Sequence, residues 1–359
     1  MKTSKKVSIG VSSAALLAML VTGCGTGTNT APTSAGAAKS PSTTTDTASS
    51  SGSDRVAIMV GGLEKIIYLP YMLTEKLGYF KDEGLTVTLV NESAGQDAEV
   101  ALLSGQVDGA GGFYDHTIDL ASKGKKVEAV VTMADVPGEQ LMLADKLKDK
   151  VKTLKDLKGL TIGVTGLGSS TNMLASYNVV KGGNKESDYK PLPVGAGQTL
   201  IAAMQQGRID AAVTSEPTAS MLKAKHLAST FVDMNSKQGT VEALGGKYAS
   251  TSLYMTNDYV KAHPAVVQKL ANAFVKTLKW MNIHTPEEIA SKMPEEYYAG
   301  DKAMYITALK GQLPMFTPDG KMPQGDPENV LKILSSFKPE VKNVKLDETY
   351  TNEFVDKVK

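Results

Sequence analysis

Two stretches of the sequence, 102 residues apart, repeat one pattern. Leu103-Ser104-Gly105-Gln106-Val107-Asp108-Gly109-Ala110 is matched by Gln205-Gln206-Gly207-Arg208-Ile209-Asp210-Ala211-Ala212. Each reads as a helix end, a glycine turn, an apolar residue, an aspartate and a strand of small residues. Around them, β-rich runs alternate with helical patterns from Arg55 onward. The runs are Arg55–Val60, Leu85–Val90, Val107–Ala110, Val127–Met133, Leu160–Val164, one near Leu192, and Ile209–Val213. The helical patterns cover Tyr68–Leu77, Ala98–Leu103, Thr117–Ser122, Ser170–Val180, Leu200–Gln206 and Thr218–Ala224. Short strands separated by helices call for mainly parallel α/β sheets. Ordinary βα units also reuse such turns, but the echo predicts two similar lobes. Gln140–Ala144 and Tyr248–Met255 read as the crossings between them. The folded part then divides into lobe 1 (54–140), lobe 2 (141–247) and a return to lobe 1 with C-terminal helices (248–359). Pro264–Met281 is a long helix whose Val267, Leu270, Phe274, Leu278 and Met281 share one face, a core stripe.

The front of the chain has another character. Met1–Lys6 is basic, and Val7–Val21 is apolar and shorter than the ~20 residues of a membrane span. Residues 1–23 therefore read as a lipoprotein signal peptide. Val21-Thr22-Gly23-Cys24 resembles the bacterial lipobox, which makes Cys24 the lipidated residue; an ordinary signal with a chance cysteine is the alternative. Of the 29 residues in Gly25–Ser53, 26 are Ser, Thr, Gly, Ala or Pro, too few apolar groups for a core. Residues 24–53 read as the lipidated cysteine and a disordered tether, with a reach of about 30 Å. Acyl chains at about 0.8 kcal/mol per buried CH₂ would hold the protein at the cell membrane, on the extracytoplasmic face.

Charge and cysteine content narrow the function classes. The formal net charge is +1, and Lys2, Lys5 and Lys6 lie in the signal, so the rest has no electrostatic claim on nucleic acid. One cysteine excludes an internal disulfide framework and any cysteine-rich metal cluster. His116, His226, His263 and His284 are scattered without metal-ligand spacing, so neither a metal nor a cofactor is expected.

Four stretches carry a family resemblance. They are Leu77-Gly78-Tyr79-Phe80-Lys81-Asp82-Glu83-Gly84-Leu85, Ser104–Asp108, Leu157-Lys158-Gly159-Leu160-Thr161-Ile162-Gly163-Val164, and Gly207–Ala211 running to Glu216-Pro217. In this order the chain resembles ABC-importer solute-binding lipoproteins of the nitrate/sulfonate/taurine and thiamine-precursor group. The resemblance runs over roughly Arg55–Met293. It implies a two-lobed periplasmic-binding-protein-like fold of type II, with two hinge crossings. It also implies a small-molecule ligand in the cleft, an ABC permease with its ATPase as partners, and a monomer.

The sharpest local feature is Val164-Thr165-Gly166-Leu167-Gly168-Ser169-Ser170-Thr171, which follows a strand and opens a helix. Gly168 lets the backbone approach a ligand, and free N–H groups with the hydroxyls of Ser169, Ser170 and Thr171 suit an anion. A serine-capped helix after a glycine turn would use the same residues. The resemblance puts this turn at the cleft. The dipole supplies only about 0.3–2 kcal/mol, whereas micromolar binding needs about 8 kcal/mol. The other lobe must supply the rest. Gly111-Gly112-Phe113-Tyr114-Asp115-His116 follows a strand, and loops there line clefts in open sheets. Phe113 and Tyr114 are candidates to hold a flat or apolar ligand body, or to pack in the core. His116 reads as a helix-start residue satisfied by backbone. Gly61, Gly62, Tyr68 and Ala134–Gly138 are further candidate walls. Glu216 is a candidate acceptor for an amine or ring N–H, or a hinge ion-pair partner.

No dinucleotide fingerprint, P-loop or serine-hydrolase elbow fits the glycine turn. One branch of the resembled group contains pyrimidine-forming enzymes with a cysteine-rich iron motif, which this sequence lacks. The reading is a binder and not an enzyme, capturing a small organic anion of the sulfonate, taurine or nitrate kind. Alternatives are a thiamine-type pyrimidine, an aromatic carboxylate, or a sensor that presents its ligand.

Overall fold

The computed structural model describes Asp54–Lys359; the signal peptide, Cys24 and the tether up to Ser53 lie outside the described residues. The strands, in chain order, are β1 (Asp54–Val60), β2 (Leu85–Asn91), β3 (Gly109–Phe113), β4 (Val127–Thr132) and β5 (Glu139–Ala144). They continue with β6 (Thr161–Val164), β7 (Lys190–Pro193), β8 (Ala211–Ser215), β9 (Ala228–Met234) and β10 (Thr251–Thr256). Between them run α1 (Leu69–Lys76), α2 (Tyr79–Asp82), α3 (Gly95–Leu103), α4 (Asp115–Ser122), α5 (Ser170–Lys181), α6 (Gln198–Gln205), α7 (Thr218–Ala224) and α8 (Lys237–Leu244). The C-terminal third adds α9 (Asn257–Ala262), α10 (Pro264–Met281), α11 (Pro286–Ala290), α12 (Lys302–Gln312) and α13 (Asp326–Ser335).

The strands form two five-stranded sheets, β2-β1-β3-β10-β4 and β7-β6-β8-β5-β9. Both follow one plan. The first strand pairs in parallel with the second and third. An antiparallel strand is then inserted before the fourth: β10 in the first sheet and β5 in the second. Helices cover the sheets, so β3, β5 and β8 are buried at every residue. The edge strand β7 is largely exposed and carries Pro191 and Pro193, which an edge tolerates.

The repeated motif has one job in each sheet. Gly105 (φ +73°) and Gly207 (φ +68°) make the left-handed turn that ends the helix. Asp108 then accepts the Ala57 N–H at 2.8 Å, and Asp210 accepts the Thr161 N–H at 3.0 Å. Each carboxylate so satisfies a backbone donor of the neighbouring first strand, mid-strand at Ala57 and at the strand start at Thr161.

Gln140–Ala144 and Tyr248–Met255, expected as crossings, fall largely in β5 and β10, inside the sheets. Alternation of parallel strands with helices does not anticipate an inserted antiparallel strand. The chain crosses at Met133–Gly138 and returns at Gly245–Ser250, and these segments bond to each other. Tyr248 N donates to Asp135 O (3.1 Å), and Ser250 N donates to Ala134 O (3.0 Å). The C-terminal tail closes over this hinge, with Asp135 N bonded to Met315 O (3.1 Å) and Thr317 N to Met133 O (2.8 Å). The apolar stripe of α10 is core, with Val267, Leu270, Phe274, Leu278 and Met281 all buried. A smaller core, including Met142, Leu200, Met204, Ala212 and Leu222, joins the second sheet to α6 and α7. Among the described residues no helix is long and apolar enough to cross a membrane.

Candidate functional site

Helices α4 and α5 begin just after strands of different sheets, and their first residues meet. Ser170, first in α5, donates its hydroxyl to Asp115, first in α4, at 2.7 Å. Ser170 Oγ also lies 3.2 Å from His116 Nε2, and His116 Nδ1 lies 3.0 Å from Tyr254 Oη. Tyr248, on the return crossing, donates to the other oxygen of Asp115 at 2.7 Å. Asp115, His116, Tyr248 and Tyr254 are all fully buried. The cluster is a latch: its bonds tie the first sheet, the second sheet and the hinge together.

Beside the latch is a pocket lined by Gly61, Lys65, Ile67, Tyr68, Gly95 and Phe113 from the first lobe. Glu139, Thr165, Ser169, Ser170 and Thr171 line it from the second. Its free volume is about 10 Å³, room for a single water. Any solute larger than that requires the lobes to part and then re-form the wall around it. The wall is tight where Gly61 meets Gly95: a Cβ on Gly61 would stand 2.6 Å from the Gly95 nitrogen. Tyr68 and Phe113 meet edge to face, with centroids 6.3 Å apart.

At the α5 end, the hydroxyls of Thr165, Ser169 and Thr171 bond mainly to one another, at 2.7–3.0 Å. They brace the turn. The donors left over by the helix are the backbone N–H groups of Ser170 and Thr171, since Asn172 and Met173 already bond to Ser169 O. Opposite stand two buried ionisable side chains. Lys65 Nζ donates to Gly61 O (2.6 Å) and Ser93 O (2.9 Å). Burial lowers its pKa, against the pull of Glu64 and Glu139. Glu139 is 3% exposed, and its Oε2 has no hydrogen-bond partner. Burial pushes its carboxyl up to about 8, Lys65 holds it down and Asp115 adds to the rise. The balance favours the protonated form of Glu139.

Of the residues singled out from sequence, the pocket gathers Gly61, Tyr68, Phe113, Ser169, Ser170 and Thr171. Ala134–Gly138 lies outside the lining, in the hinge, and four single residues stand outside it too. Gly168 turns (φ +89°) next to Gln96. Gly62 (φ +119°) lies against the Lys65 side chain. Tyr114 points into the core, where its hydroxyl meets Thr349 Oγ1 at 2.6 Å. Glu216 accepts from Gln140 Nε2 (3.2 Å) and from Ser220 N (2.9 Å), within the second lobe. His116 is satisfied by side chains and not by backbone, because its ring lies across the junction of the lobes. Sequence reasoning missed Lys65, Glu139 and Asp115. Glu139 did leave a signal: a charged residue opening a strand that is otherwise free of charge, Gln140–Ala144. Among the described residues no group of three or more His, Cys, Asp or Glu is placed to hold a metal.

Comparison with known proteins bears on this geometry. A family model described as NMT1/THI5 like matches residues 67–289. A solved protein from Bordetella bronchiseptica RB50 is 35% identical, with a TM-score of 0.81 over 84% of this chain and 96% of the other. The ligand-binding component of an ABC-type import system from Staphylococcus aureus is 15% identical and shares the fold, with a TM-score of 0.65 over 85% and 99% of the two chains. Among curated proteins, the 4-amino-5-hydroxymethyl-2-methylpyrimidine phosphate synthase THI13 of Saccharomyces cerevisiae is 23% identical over 236 residues. That match covers 64% of this chain and 67% of the yeast protein.

Proposed function

The chain belongs to the NMT1/THI5-like family, and from that premise we propose that it is the extracytoplasmic solute-binding component of an ABC importer. In this reading it is anchored by lipid on Cys24, leashed by residues 24–53, and delivers a small organic anion to a permease and its ATPase as a monomer. The observation that carries the reading is the pocket at the junction of two sheets of one plan, lined from both. A solute that touches both walls binds the shut form better than the parted one, and only such a difference can close the lobes.

The anion's oxygens meet the Ser170 and Thr171 N–H groups and the ammonium of Lys65, while Tyr68 and Phe113 enclose its body. Gly168 shapes the turn, and Gly62, Tyr114 and Glu216 support the walls from behind. The chain acts as a binder and not as a synthase: the cysteine-rich iron motif of the enzyme branch has no counterpart in a sequence whose one cysteine is Cys24. A second reading, a thiamine-type pyrimidine as solute, is favoured by Glu139, whose unpartnered oxygen suits an amino group; the name of the yeast relative points the same way.

The test is a thermal-shift panel of sulfonates, nitrate, carboxylates and pyrimidines. A solute at one hundred times its Kd adds about 2.7 kcal/mol to the folded state, which raises the melting temperature by several degrees. No rise with any compound refutes the proposal. Loss of solute uptake on deletion then separates an importer from a sensor.

A further inference from the structure

Glu139 is the ionisable group in the pocket whose carboxyl oxygen the protein's own contacts leave unsatisfied. It opens β5 between Ser215 of β8 and Met234 of β9, so its backbone is fixed from both sides. Its carboxyl lines the cavity, and Oε2 is buried without a partner. Leaving a carboxyl oxygen so costs the folded state free energy. The charged and titratable groups acting on it are Lys65, Asp115, Tyr68 and Tyr248. None of them bonds to it: Lys65 Nζ gives two of its three donors to Gly61 O and Ser93 O, and Asp115 accepts from Ser170 and Tyr248. The remaining partner is whatever fills the pocket: a single water in the shut free protein, the solute in the complex.

Resting on the binding reading above, we propose that Glu139 is the specificity residue of this site, accepting an N–H group of the solute while the solute's acceptor end sits on the α5 N-terminus. The pocket then selects molecules that carry a nitrogen donor and an oxygen or ring-nitrogen acceptor on one compact frame. It discriminates against analogues that lack the donor, because these leave the Glu139 oxygen unpaired. A cationic amine favours the ionised carboxylate and so opposes the upward push of burial on Glu139.

The experiment compares matched probes by calorimetry on the purified protein: taurine with ethanesulfonate, β-alanine with propionate, and 4-aminopyrimidine with pyrimidine. The expected result is that in at least one pair the amino compound binds ten times tighter or more. In Glu139→Gln that gap falls to threefold or less. Equal binding within every pair, or a gap unchanged in Glu139→Gln, overturns the assignment of Glu139 and leaves the pocket reading intact. Silence from all six probes overturns both. Should Glu139→Gln fail to fold, the wild-type pairs decide the matter: equal binding within every pair rejects the proposal.

Discussion

Removing the Ser170 hydroxyl isolates the latch from the rest of the fold. Ser170→Ala deletes one donor to Asp115 Oδ1, 2.7 Å away, and the contact to His116 Nε2 at 3.2 Å. Neither bond can exist with the lobes apart, so the loss falls on the shut form. Hydrogen bonds to carboxyl groups contribute about 1–3 kcal/mol net, equivalent to a factor of about 5–150 in the ratio of shut to parted protein. If the free protein is mainly parted, the whole factor appears as a higher Kd. If it is mainly shut, the factor appears as a larger radius of gyration in the absence of solute. Calorimetry with the tightest compound of the thermal-shift panel, together with small-angle scattering of the free protein, reads both. The variant is expected to show at least a fivefold weaker Kd or a measurable expansion. An affinity within twofold of the wild type and an unchanged radius would refute the idea that this contact holds the lobes together.

Other outcomes follow from the same geometry. Asp108→Ala and Asp210→Ala each orphan a strand N–H and should cost about 1–3 kcal/mol in urea unfolding, by similar amounts in the two sheets; a neutral effect at either site would contradict the shared role. Phe113→Ala removes the ring that faces Tyr68 and should weaken solute binding at least tenfold with a stable fold retained; wild-type affinity would remove Phe113 from the ligand wall. Glu139, raised to about 8, and Asp326, raised to about 7, hold protons in the folded chain that the unfolded chain has released. Their stabilisation is complete below pH 4 and is lost as pH rises through 7 and 8. The melting temperature of the free protein should therefore fall between pH 5 and 8.5, and Glu139→Gln should flatten that slope; a slope unaltered in the variant would contradict the assignment.

Much of the fold could be read in advance because local rules and the tertiary structure agree. Thr218–Ala224 and Pro264–Met281 match their helices residue for residue, since proline starts and apolar periodicity act locally. The Gly-x-apolar-Asp echo announced two sheets of one plan because a turn and a strand-edge bond require those residue types. The inserted strands β5 and β10 were less legible: their partners lie about 70 to 140 residues away in sequence, beyond any local pattern. The site divided along the same line. Ser169, Ser170 and Thr171 signal themselves as a helix start, and aromatic Tyr68 and Phe113 stand near strand ends. Lys65, Asp115 and Glu139 owe their character to burial, which depends on how the two lobes meet. Tyr114 shows the converse, a pocket candidate by position whose ring is claimed by Thr349 and Tyr350 from the far end of the chain.

The central claim is closure of two lobes on a solute, and the distance between them tests it most directly. Val100 on α3 and Val241 on α8 are exposed, one in each lobe, and in a Cys24→Ser background cysteines there take spin labels uniquely. The distance distribution should shift and narrow when the tightest solute saturates the protein. A distribution that stays the same with and without that solute would contradict the claim.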